Sequence, residues 1–286
     1  MNLLQKYQEE RGVLIAVHRG TNGGNIIQNT TKAYLNAIRH KGDMVEVDVI
    51  RTVDGEFFAF HDGQEKLVFD MDIDLRLLPA EQIKGLPCFN SLAEPVDQRL
   101  ETIEEVLANL EGKSLINIDR SWFYWDTFLD KLKTYKSLSQ VLLKAPAKRE
   151  LLEQLRDSEL DVMFMPIVKT VEELELVLNF GGINLVAVEL IFEDLDSELI
   201  SPATMQRLRN KGILTWVNAL RLNDTIVLAA RIDDEVALFD NGYSWIKLVE
   251  LGFDIIQTDW PYLLYSCLIE NNYKKILNRR NSYETL

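Results

Sequence analysis

Polar groups with chemical potential interrupt apolar stretches of this 286-residue chain at a few places. His18-Arg19-Gly20 closes an apolar run that begins at Val13, Glu46 and Asp48 lie within Met44-Val45-Glu46-Val47-Asp48-Val49-Ile50, and Asp119-Arg120 ends a third run. On an extended strand, residues two apart share a face with alpha carbons roughly 6–7 Å apart, so Glu46 and Asp48 can hold one cation between them. Two carboxylates in so apolar a strand are costly unless a metal or a cationic side chain neutralises them; Arg19 and Arg51 are the salt-bridge alternative. Residues 51–61 read as a hairpin with Asp54-Gly55 as a two-residue turn. That turn pairs Val53 with Glu56 and sets His61 opposite Asp48, on the same face. An all-carboxylate set favours one divalent cation, Mg2+ or Ca2+, over zinc. Two imidazoles, His18 and His61, can divide acid and base roles near neutral pH, and the fork of Arg19 suits phosphate oxygens. These types fit phosphodiester cleavage, in which charge develops on non-bridging oxygens and on a leaving alkoxide.

Such residues need a frame that gathers them from distant parts of the chain. Short β-branched runs at 13–17, 44–50, 114–119, 140–144, 161–168, 184–190, 212–217 and 253–258 read as buried strands. Amphipathic stretches at 31–40, 102–110, 122–135, 148–158, 170–179, 202–211, 240–251 and 261–271 follow them as helices. Asn29 or Thr30, Thr102 with Glu105, and Ser201 before Pro202 are helix-start signals, and Asp259-Trp260-Pro261 reads as the cap of the last helix. Eight alternations predict an α/β fold, a (β/α)8 TIM barrel. One domain is expected over 1–286, with 1–12 and 276–286 peripheral and 62–100 an insertion-like connection after the hairpin. Barrels of this kind work at the C-terminal ends of their strands, where His18, Glu46, Asp48, Asp119, Lys144, Glu189 and Trp216 all fall. His40, near the end of the first helix, is left out of the site.

Composition narrows the partners. With 45 acidic against 31 basic residues, a formal charge of -14 disfavours nucleic acid and anionic surfaces. The two cysteines, Cys88 and Cys267, do not make a disulfide framework. No signal-like N-terminus or run of roughly 18 apolar residues stands out, so a cytoplasmic chain without integral membrane association is expected; oligomeric state is left open.

At these residues the chain resembles the glycerophosphodiester phosphodiesterase family. The likeness rests on His18-Arg19-Gly20, Asn29-Thr30, Glu46-Val47-Asp48-Val49, Thr52-Val53-Asp54-Gly55, His61-Asp62, the stretch 100–107 and the stretch 252–261, in order. The resemblance implies a cation held by Glu46, Asp48 and Asp119, with His18 and His61 as the acid–base pair. It also implies small glycerophosphodiester substrates yielding glycerol 3-phosphate and an alcohol. The chain departs from the family at Gln28, where a glutamate is usual, and at Asp119-Arg120-Ser121, where Glu-x-Lys is usual. Lys144 is the candidate replacement for the missing phosphate-binding lysine beside Arg19, and Glu189 and Trp216 are candidate substrate-lining residues. A phospholipase D-like or cyclising activity on lysophospholipid head groups is the related alternative, and a silent phosphodiester-binding barrel is the non-enzymatic one.

Overall fold

The computed structural model describes residues 1–136 and 138–276. Eight parallel strands close into a ring: β1 (Leu14–Val17), β2 (Met44–Arg51), β3 (Leu115–Asp119), β4 (Val141–Pro146), β5 (Met163–Val168), β6 (Ala187–Leu190), β7 (Leu214–Asn218) and β8 (Ile255–Thr258). Each pairs with the next, and β8 returns to β1. The chain is therefore a (β/α)8 TIM barrel, as the strand-helix alternation predicts.

The strands are apolar on both faces because both faces are covered. Ile15, Val17, Val45, Val47, Val49, Ile116 and Ile118 pack outward into the large core beneath the helices, while Leu14, Ala16, Met44, Leu115, Leu142, Met163 and Ile255 fill the lumen. Helices start where the sequence signals them. Thr30 caps Thr31–Arg39, Thr102 and Glu105 form a capping box on Ile103–Asn109, and Ser201 precedes Pro202 at the head of Pro202–Asn210.

Two expectations change. Residues 1–12 are not peripheral: Leu3–Arg11 is a helix, and its fully buried Leu4 joins the lumen cluster. Arg11 and Lys274 both bond the buried Asp43, which fastens the two ends of the described chain to the barrel. Residues 277–286 of the expected C-terminal periphery lie outside the described residues. The insertion-like connection 62–100 carries helices Glu65–Phe69 and Ala80–Lys84 and a small core around Phe60, Phe69, Leu75 and Ile83. Finally, the hairpin closes with a three-residue loop. Val49, Ile50 and Arg51 pair with Ala59, Phe58 and Phe57, and Phe60 N donates to Asp48 O, so Phe60 rather than His61 stands opposite Asp48. The cause is Thr52, whose hydroxyl accepts from Glu56 N at 2.9 Å and donates to Asp54 at 2.6 Å, closing the loop one residue early with Gly55 at positive φ. No helix among the described residues is long and apolar enough to cross a membrane.

Candidate active site

Strand register builds the mouth of the barrel. Glu46 pairs with Asn117 and Asp48 with Asp119, so neighbouring strands send four polar side chains into the lumen side by side. Followed around the ring, the register sets Glu46, Lys144, Glu189 and Gln257 at one level, contributed by alternate strands as in the side-chain layers of such barrels. One carboxylate oxygen each from Glu46, Asp48 and Asp119 lies within 4.8 Å of the others. A single ion with oxygens at about 2.3–2.6 Å spans that separation.

The electrostatics fit a cation there. Burial pushes the Glu46 carboxyl well above its ordinary range, and the charges of Asp48 and Asp119 push it further, with Lys144 opposing. Burial also acts to raise Asp119, but the adjacent Lys144 ammonium and its hydrogen bonds hold it low. Lys144 is 3% exposed, lies 2.5 Å from Asp119 Oδ2 and 3.2 Å from Glu189 Oε2, and keeps its proton against burial because these acids surround it. Four carboxyls thus face two side-chain cations, Lys144 and Arg19. Among the described residues, Asn117 Oδ1 and Gln257 Nε2 are buried without hydrogen-bond partners, further polar capacity inside the lumen.

Arg19 crosses the top of this cluster. Its backbone N donates to Glu46 Oε2 at 3.1 Å, its Nε lies 3.2 Å from Asp48 Oδ2 off the line of a hydrogen bond, and its Nη1 donates to Gln28. Asn29 does not cap the helix, as Thr30 does so. Instead Asn29 donates to Asp48 Oδ2 at 2.9 Å and accepts from Asp48 N and the Tyr34 hydroxyl. Arg19, Asn29 and Arg120, all at the mouth, adopt positive φ.

Each predicted histidine is anchored through Nδ1. His18 Nδ1 lies 3.0 Å from Asp259 Oδ1, and His61 Nδ1 lies 2.6 Å from the Asp62 carbonyl. Both partners are acceptors, so Nδ1 carries hydrogen in each ring and Nε2 is the free atom. The His61 loop reaches the mouth through its neighbours rather than through a directly opposed pair. Asp62 bonds Arg120, the residue after Asp119, and Gln64 bonds Gln28, which holds Arg19. His40 lies away from the site, at the end of Thr31–Arg39 beside Tyr262.

Other expectations are corrected by burial. Trp216 is fully buried and donates to Asn218, which in turn donates to Glu189; Trp216 packs against the Lys144 ammonium and Glu189 flanks it at the same level, both buried inside the lumen. Ser121 is buried and accepts from Trp125 Nε1, so nothing at that position projects a charge into the mouth. Asp259 is no helix cap; Trp260 occupies that position, and Asp259 bonds His18. Sequence reasoning missed Asp259, Asn117, Asn218 and Gln257. Their signal was a polar residue every second position in strands otherwise apolar.

The model of the glycerophosphoryl diester phosphodiesterase family matches residues 18–159, a stretch that contains His18, Glu46, Asp48, His61, Asp119 and Lys144. Over this stretch the chain is similar to that family. A domain family of unknown function matches residues 164–268. A glycerophosphodiester phosphodiesterase of Arabidopsis thaliana, GDPD4, is 35% identical over 82 residues, 28% of this chain and 25% of that relative's length. Solved structures share the fold. A glycerophosphoryl diester phosphodiesterase from Parabacteroides distasonis superposes with a TM-score of 0.70 at 16% identity, covering 94% of this chain and 93% of that one. One from Thermotoga maritima gives 0.63 at 21% identity, covering 89% and 98%. A phosphodiesterase from Oleispira antarctica, solved with its product sn-glycerol-3-phosphate, gives 0.64 at 16% identity, covering 90% and 97%.

Proposed function

We propose that this chain is a metal-dependent phosphodiesterase that hydrolyses glycerophosphodiesters to glycerol 3-phosphate and an alcohol. The observation that carries the reading is the trio Glu46, Asp48 and Asp119, gathered within one ion's reach at a mouth whose flanking loops hold two Nδ1-anchored imidazoles. The product held by the Oleispira antarctica enzyme supports the substrate class. Glu46, Asp48 and Asp119 would hold Mg2+ or Ca2+, which suits an all-oxygen set and supplies positive charge to the phosphate's non-bridging oxygens.

The chain's own groups divide the rest. Arg19 keeps guanidinium hydrogens beyond those given to Gln28 and aimed near Asp48, and these bind phosphate oxygen. One imidazole Nε2 takes a proton from the attacking water, whose oxygen joins the phosphorus, and the other gives a proton to the alkoxide that departs as the alcohol. In this scheme Lys144 acts as the counter-cation beneath Asp119, and phosphate contact falls to Arg19. Glu189 flanks the Lys144 ammonium at 3.2 Å, Asn218 donates to Glu189, and Trp216 packs against the ammonium.

Incubating the purified chain with glycerophosphocholine, glycerophosphoethanolamine and glycerophosphoglycerol, with Mg2+, Ca2+ or Mn2+, tests the reading. Glycerol 3-phosphate is expected, and His18→Ala and His61→Ala should each slow its release by about 10²–10⁴-fold. Phosphorus NMR of the products distinguishes a monoester from a cyclic phosphate. Wild-type protein that releases no phosphate monoester from any of these esters, with any of the cations, defeats the proposal.

A further inference from the structure

We infer that Asp234 is a positioning residue for His18, acting through Asp259; the inference rests on the proposed acid–base role of His18. Asp234 comes from the connection between β7 and β8, at the start of the short helix Asp234–Phe239, and is 3% exposed. Its carboxylate accepts three hydrogen bonds. Trp245 Nε1 and the Thr258 hydroxyl both donate to Oδ1 at 2.8 Å, and the Asp259 backbone N donates to Oδ2 at 2.8 Å. Asp234 N in turn donates to Ala219 O, just past the end of β7. The carboxylate therefore sits where β7 and β8 end and fixes the backbone that carries Asp259.

The geometry of Asp259 makes this tie consequential. Its side chain is 48% exposed and its only hydrogen-bond partner among the described residues is His18 Nδ1, so a free Asp259 would swing into solvent. What fixes its direction is main chain. Asp234 holds its N, the Thr258 hydroxyl accepts from Trp260 N at 2.9 Å, and Thr258 O accepts from His18 N. His18 and Asp259 are thus registered against one another through Thr258, and Asp234 grips both Thr258 and Asp259. Three donors converging on one side chain need two acceptor oxygens, and an ionised carboxylate supplies them where an amide cannot. Burial pushes the Asp234 carboxyl up to about 7, with the three donors opposing the rise and the neighbouring acid Asp259 adding to it.

Asp234→Asn separates the roles. The amide oxygen can still accept from Trp245 and Thr258, but its NH2 then faces the Asp259 N–H, donor against donor, so the tie to Asp259 is the one lost. With nitrogen-15-labelled histidine the chain gives three imidazole signals, assigned by His40→Gln and His61→Gln. Asp234→Asn and Asp259→Asn should each shift the His18 signals toward tautomer exchange, leave His61 unmoved, and lower turnover by about 10–100-fold with KM little changed, the size expected for groups that orient a catalytic ring. The double variant should lose no more than the worse single one. Trp245→Phe, which removes a donor from the same carboxylate without touching Asp259, should lower the melting temperature while the His18 signals stay in place. The inference is overturned by unmoved His18 signals in Asp234→Asn, by additive losses in the double variant, or by an equal His18 shift in Trp245→Phe. The NMR readout needs no turnover, so a chain that cleaves no diester still tests it.

Discussion

Lys144 is the residue whose removal says most about the mouth. Lys144→Met keeps the length of the side chain and deletes only its charge. The ammonium is buried between Asp119, at 2.5 Å, and Glu189, at 3.2 Å, so the variant strands two acids that water barely reaches. Breaking a buried pair by removing one partner costs about 3–5 kcal/mol. For a domain of this size, at about 2–4 °C per kcal/mol, the melting temperature should fall roughly 6–20 °C in chelator. Around the mouth, Glu46, Asp48, Asp119 and Glu189 then face Arg19 alone, so a divalent cation should bind the variant more tightly than the wild type. Tenfold tighter binding would narrow the stability gap by about 1.4 kcal/mol at saturation. Thermal melts of both proteins across a Mn2+ or Ca2+ series read this directly. Lys144→Met/Glu189→Gln should recover part of the loss, because one stranded charge goes with it. A gap of under about 1 °C in chelator, or a gap that ignores the cation, refutes the coupling between Lys144 and the carboxylates.

Two further outcomes follow from the same geometry. Glu46 has a folded-state pKa raised by burial, so without metal its contribution to stability is present below about pH 4.3 and is lost as pH rises through the raised value. A cation competes with that proton: calorimetry across a pH series, in two buffers of different ionisation enthalpy, should report proton release that grows as pH falls and is absent in Glu46→Gln, and equal heats in both buffers at every pH would contradict it. At the other end of the barrel, Asp43→Asn leaves Arg11 and Lys274 buried without their shared carboxylate and should cost about 3–5 kcal/mol in urea unfolding; a loss under about 1 kcal/mol would show that the two chain ends are held by other contacts.

The frame of the molecule was legible because both faces of its strands are buried. Leu14–Val17 is apolar throughout and Met44–Arg51 is apolar but for Glu46, Asp48 and the terminal Arg51, and the helices between strands carry caps such as Thr102 with Glu105. Glu46 and Asp48 stood out because a period-two pair of acids in such a run has little other use. The route of His61 to the mouth was not legible. Asp54-Gly55 suits loops of two or three residues, and the choice was made by the Thr52 hydroxyl, a tertiary detail that moves the whole register by one. Asp259 was misread because Thr-Asp-Trp-Pro is also a helix start. Its partner His18 lies 241 residues away, and only the closure of β8 onto β1 brings them together. Asp234 carries no periodic signal, since it belongs to an irregular connection.

The lumen explains how a chain of net charge -14 can present a site for a phosphate ester. Below the mouth, Leu4, Leu14, Met44, Leu115, Leu142, Met163 and Ile255 make a dry floor, and Trp216 packs against the Lys144 ammonium. Charges set on such a floor act over short range and are poorly screened, so the balance inside the barrel matters more than the sum over the surface. Ionised, Glu46, Asp48, Asp119 and Glu189 exceed Lys144 and Arg19 by two charges, the charge of one divalent cation. A proton on Glu46 offsets half of that excess and a divalent cation the whole, which gives the empty and loaded states different charge at the place where a phosphate would arrive. Substituting Lys144 or Glu46 therefore changes the same quantity from opposite sides, and the paired melts and calorimetry described above measure it twice by independent means.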